Sequence, residues 1–243
     1  MYKWRESGSI LYSQSQKCFN IESNMQLFLI VSWRGVMGFF NNERRIEGKT
    51  AKDWIEMGID SFNQCKYSTA VDAIEKSIEL NPDNASAWYN LGLALSFSDQ
   101  WFEALNAFDK AITINPEYAE AYYNIGLILS DLDQNEKALN AFNKAITINP
   151  EYADAWSSRG MELRDLGQYP EALAAFNKVL ELDPSNAMVW INKVHTLTKL
   201  KRYEEAIAAY DIVVRFDSQN ETPWIKSLLP EKNELLIKFQ NQL

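Results

Sequence analysis

Asn90, Asn124 and Asn192 fall in register at multiples of thirty-four residues, and Ser158 takes the place between the last two. A side-chain amide carries both a donor and an acceptor. A row of amides at one spacing can therefore pair with both backbone groups of an extended peptide, whatever the sequence of that peptide. A helical Asn also bonds within its own helix, so the row by itself leaves both readings open. Other chemistry finds less support. His195 is the single histidine, so no metal cluster can be built on imidazoles. No Ser-His-Asp arrangement stands out, and the glycines are spaced along the chain rather than clustered in a phosphate-binding loop. Cys18 and Cys65 form neither a Cys-x-x-Cys pair nor a disulfide framework. A reducing, cytoplasmic setting is the simpler assumption. No converging set of groups marks a catalytic centre; neither enzyme activity nor a cofactor or metal is expected.

The spacing of the asparagines is that of the whole chain. Asn106–Ala121 laid over Asn140–Ala155 matches at fourteen of sixteen positions, differing only at Asp109/Asn143 and Glu120/Asp154. A fixed period of this length signals a repeat array. Five copies follow: 51–84, 85–118, 119–152, 153–186 and 187–220. Each predicts two helices. In the second copy Trp88, Leu91, Gly92 and Leu95 share one face, and Ala104, Leu105, Phe108, Ala111 and Ile112 share another. Gly58, Gly92, Gly126 and Gly160, with Ala70, Ala104, Ala138, Ala172 and Ala206, recur where helix axes approach closely; Val194 breaks the glycine series. Pro82, Pro116, Pro150 and Pro184 end the second helices, and the Asn or Asp before each suits a turn. Glu231–Leu243 is amphipathic and expected to close the array, since terminal repeats need a cap.

Tyr122, Ile125-Gly126, Ala138, Phe142 and Pro150 stand at the offsets of an aromatic, a Leu-Gly pair, an Ala, an aromatic and a Pro. In this the chain resembles the tetratricopeptide repeat family. The resemblance implies an all-α fold, a right-handed α-α superhelix of five helix-turn-helix repeats with a C-terminal capping helix. It also implies that the first helix of each repeat lines a concave groove. The positions carried over give Tyr89, Asn90, Leu93, Tyr123, Asn124, Leu127, Met161 and Asn192 as peptide-binding residues. The asparagines are then similar to the asparagine ladder of some members, shortened by Glu56 and Ser158. The tyrosines, leucines and Met161 would be either groove floor or core. The Lys and Asn of the carboxylate clamp that some members use for acidic C-terminal peptides are absent: the corresponding pairs are Ile55/Ile59, Tyr89/Leu93, Tyr123/Leu127 and Ser157/Met161.

Charge narrows the partner. Residues 1–50 carry +3, residues 51–186 carry −13 and residues 187–243 carry +1, which sum to the net −9. So acidic a body repels phosphate backbones and disfavours nucleic acid; a basic or neutral polypeptide is the more natural partner, and no small-molecule substrate is indicated. The N-terminal 1–50 stands outside the period and is expected to be poorly ordered. Its apolar run Met25–Phe40 has sixteen residues and is interrupted by Arg34, short of the roughly 20 apolar residues of a membrane span. The run also lacks the flanks of a secretory signal. Met37 is a candidate start, which would make residues 1–36 non-native. The function expected is a scaffold that binds a peptide segment of an unknown protein in its groove. The alternative is a structural array that self-associates, or one attached to a membrane through residues 25–40.

Overall fold

In the computed structural model the described residues are 44–217 and 229–240. The apolar run 25–40 and Met37 lie outside them. Eleven helices occur among the described residues: α1 Ala51–Asn63, α2 Tyr67–Leu80, α3 Ala85–Ser96, α4 Trp101–Ile114, α5 Ala119–Asp131, α6 Asn135–Ile148, α7 Ala153–Asp165, α8 Tyr169–Leu182, α9 Ala187–Lys199, α10 Tyr203–Asp217 and α11 Leu229–Gln240. They run as consecutive helix-turn-helix pairs, and the odd-numbered helices α1 to α9 are the first helices of the five copies. None of the described helices is long and apolar enough to cross a membrane.

Local chemistry sets the helix ends. Thr50 starts α1 with a reciprocal cap: its hydroxyl accepts from Asp53 N, and the Asp53 carboxylate accepts from Thr50 N at 2.8 Å. Asn84 and Asn186 cap α3 and α9 through their side-chain oxygens. Between repeats, Asn115, Asn149 and Asp183 each accept a backbone N–H from two residues on, at 3.0–3.1 Å, across the intervening proline. Within each hairpin, one residue bends the chain in the left-handed region: Cys65, Asp99, Asp133, Gly167 and Lys201, with φ from 58° to 77°.

The chain divides into two compact units, Met1–Ala121 and Tyr122–Leu243. In the first, α1 packs on α2, α2 on α3 and α3 on α4, and the first helices α1 and α3 also touch. A Cβ on Gly92 would lie 2.6 Å from the Phe108 ring, so only glycine lets that ring reach the α3 backbone. The indole of Trp88 donates to Pro82 O at 2.8 Å and ties α3 to the preceding turn. Trp54 has no preceding repeat. Its indole donates instead to Ile46 O at 3.1 Å. Ile46 and Lys49 form a tight two-residue turn, inside the segment expected to be poorly ordered, that stands in for the missing proline carbonyl.

The second unit repeats these contacts. Phe142 packs on Gly126 and Phe176 on Gly160, while Trp156 and Trp190 donate to Pro150 O and Pro184 O, both at 2.9 Å. The glycine series ends at Val194, which is buried in one cluster with Tyr210, Leu173 and Leu197. Beyond it α11 packs on α10 in the place of the expected closing helix.

Candidate peptide-binding face

In the first unit α3 carries three of the predicted residues. Tyr89 is half-buried, stacked on Tyr118 with ring centroids 4.7 Å apart and tilted against Phe108 at 5.7 Å. Asn90 turns back on its own helix: Nδ2 donates to Ser86 O at 2.7 Å and to Ser86 Oγ at 3.3 Å. Ser86 in turn hydrogen-bonds the Tyr118 phenol, whose pKa burial raises. Leu93 is half-buried. On neighbouring α1, Ile55 and Ile59 are also half-buried, and exposed Glu56 pairs with Lys52 at 3.7 Å. A surface ion pair of this kind contributes little. The face of α3 thus combines an aromatic, an amide and an aliphatic side chain, none of them sealed in the core.

The second unit treats the equivalent residues differently. Tyr123 and Leu127 are buried, and so is Asn124. The Tyr123 ring lies 5.0 Å from Tyr152 and 6.0 Å from Phe142. Its phenol bonds Ser158 one copy along, and burial pushes its pKa up to about 12. Met161 is half-buried against the cluster of Leu163, Phe176 and Val189. Asn192 is buried, and its Oδ1 accepts from Arg164 Nη1 at 2.7 Å. Tyr123–Ser158 and Arg164–Asn192 therefore link first helices of successive copies. The amide of Asn192, read from sequence as a peptide contact, is engaged by the protein itself.

A third link was not foreseen. Ser130 Oγ donates to Glu162 Oε2 at 2.5 Å, joining α5 to α7. Glu162 is 7% exposed. Burial holds its carboxyl above the usual range, and Asp165, Asp133 and Asp131 push it further, while the Ser130 bond opposes them. Little in the sequence signals it: Glu162 stands where the other copies carry exposed Asp60 and buried Ala94, Ile128 and Thr196, so the carboxylate is shared with the first copy and its burial is not. Among the described residues, no group of three or more His, Cys, Asp or Glu is placed to hold a metal ion.

Models of tetratricopeptide repeats match the chain at several places. One, described as Tetratricopeptide repeat, matches residues 119–152 and 153–186; another of that description matches 73–106 and 175–208; a third, TPR repeat, matches 99–133. No curated protein matches by sequence. Solved structures with a similar fold include MamA from Desulfovibrio magneticus RS-1, 18% identical with a TM-score of 0.65, covering 71% of this chain and 97% of that one. PilF of Pseudomonas aeruginosa is 18% identical, TM-score 0.62, covering 79% and 95%. YrrB, described as a TPR protein with an unusual peptide-binding site, is 25% identical, TM-score 0.61, covering 74% and 90%. With paired helices at every copy, glycine under the aromatic ring and the Trp–Pro tie between copies, the chain belongs to the tetratricopeptide repeat family.

Proposed function

We propose that the protein is a protein–protein interaction scaffold that takes an extended peptide segment of a partner on the face of its first helices. The observation that carries this reading is the half-buried trio Tyr89, Asn90 and Leu93 on α3, beside half-buried Ile55 and Ile59 on α1. Apolar groups left partly open next to an amide suit a peptide backbone with an apolar side chain. Asn90 can exchange its bond to Ser86 for one to the ligand at little net cost, because the Ser86 carbonyl remains within its helix. In the second unit, taken by itself, Tyr123, Asn124, Leu127 and Asn192 are buried and Met161 is half-buried. The description of YrrB as peptide-binding is in keeping with this role. The test is a display library of random twelve-residue peptides selected on the full chain. Peptides so found should bind the Asn90→Ala/Leu93→Ala protein about tenfold more weakly, the loss of roughly 1.4 kcal/mol. A library that enriches nothing, or peptides that bind parent and variant equally, would refute this assignment.

A further inference from the structure

Two apolar rows run along the first helices of the first unit. On α1, Ile55, Ile59 and Phe62 stand four and three residues apart; on α3 and its C-cap, Tyr89, Leu93 and Phe97 stand four apart. Such spacing puts each row on one helix face. All six side chains are half-buried. The rows are joined, because α1 touches α3 and the Phe62 ring meets the Phe97 ring edge-on, with centroids 5.2 Å apart. Tyr67 from α2 stacks on Phe97 at 5.3 Å. In the second unit Tyr123 and Leu127 are buried, and Ser157 and Arg164 stand at the places of Ile55 and Phe62. Contiguous apolar surface left partly open marks a docking face.

We propose that this face takes the chain's own apolar run, residues 25–40, and that the run competes there with a partner's peptide. The competition rests on the peptide-binding reading above; the docking does not. The point of entry sets the reach. Trp54 holds Ile46 O at 3.1 Å, beside the start of α1. The six steps from Phe40 to Ile46 span at most about 20 Å, and the 13-residue α1 is itself ~20 Å long. The run is thus tethered within reach of the whole of α1. Charge favours the same occupant: residues 25–40 carry Arg34 and no acid, while residues 51–118 carry four Lys and eleven Asp or Glu, a net −7, and opposite charges attract. The run is also apolar enough to gain from cover and short of the roughly 20 residues of a membrane span. A short tether gives an effective concentration of roughly 1 mM. A contact of about 0.1 mM on its own is then closed about nine-tenths of the time, which weakens a competing peptide about tenfold.

The experiment places the photo-crosslinker p-benzoylphenylalanine at position 93 of the full chain, in place of Leu93, and irradiates a dilute solution. Crosslinks should run within one chain to residues 25–40, read as a monomer on a denaturing gel and mapped by mass spectrometry. The same crosslinker in place of Lys110, exposed on α4, should not reach them. Crosslinks only between chains, none to residues 25–40, or equal yield from position 110 would overturn the docking. In a second arm the full chain carries Leu29→Asp/Val31→Asp, and circular dichroism checks that it is folded. Peptides selected on this variant from the twelve-residue library should bind the parent about tenfold more weakly than the variant. Equal binding to both proteins would overturn the competition. A library that yields nothing on the variant would refute the peptide-binding reading, and the crosslink would still decide the docking.

Discussion

Gly126→Ala is the sharpest test of what holds the copies together. A Cβ built on Gly126 would lie 2.5 Å from Phe142 Cε1, 2.7 Å from Cδ1 and 3.0 Å from Cζ. Carbon atoms do not approach so closely, and Phe142 is 1% exposed, so its ring has no open space to retreat into. Overpacking of this kind costs ~1–3 kcal/mol, and alanine returns ~0.5–1 kcal/mol over glycine within a helix. A net loss of about 1–2 kcal/mol is expected, which for a chain of this size lowers the melting temperature by roughly 2–8 °C. Urea unfolding followed by circular dichroism measures it. The decisive arm is the same substitution beside Phe142→Ala. With the ring gone, Gly126→Ala should become neutral or stabilising, because only its helix propensity remains. If Gly126→Ala alone proves neutral or stabilising, or if its cost persists without the ring, then close contact between glycine and aromatic is not what fixes this position.

Two further outcomes follow from single residues. Glu162 has a folded pKa above its ordinary value of 4.5, through burial first and its three carboxylate neighbours second. Its contribution to stability is therefore fully present below pH 4.5 and is lost as pH rises through the folded value. Glu162→Gln should melt higher than the parent at pH 7, with the gap closing below pH 4.5; a variant that melts lower at pH 7 would contradict the buried-charge account. Lys201 is exposed and sits at φ 58° where the preceding copy has Gly167. The left-handed region costs an L-residue roughly 1–2 kcal/mol, part of which glycine gives back in chain entropy. Lys201→Gly should thus stabilise by up to about 1 kcal/mol in urea unfolding, and a loss of stability would mean that the side chain does something the turn does not reveal.

The period alone determined the helical pairs, because a thirty-four-residue repeat of apolar faces, glycines and prolines constrains backbone and core together. It also determined which residues stop each helix, since the Asn or Asp before proline acts on its own neighbours. The left-handed turn residues were harder to see: Cys65, Asp99, Asp133 and Lys201 share a conformation but no side-chain chemistry. What the face of the first helices does was decided only in three dimensions. Tyr89 and Tyr123 are the same residue at the same place in the period, yet one is half-buried and the other buried. Asn90 and Asn192 are likewise equivalent, yet one bonds to Ser86 within its helix and the other accepts from Arg164 on α7. Exposure and hydrogen bonding depend on side chains brought in from other helices, and those lie about one period away in sequence. Glu162 shows both sides of this division. The first copy carries the exposed carboxylate Asp60 at the same place in the period, and only the packing of α5 against α7 buried Glu162 and put Ser130 on one of its oxygens.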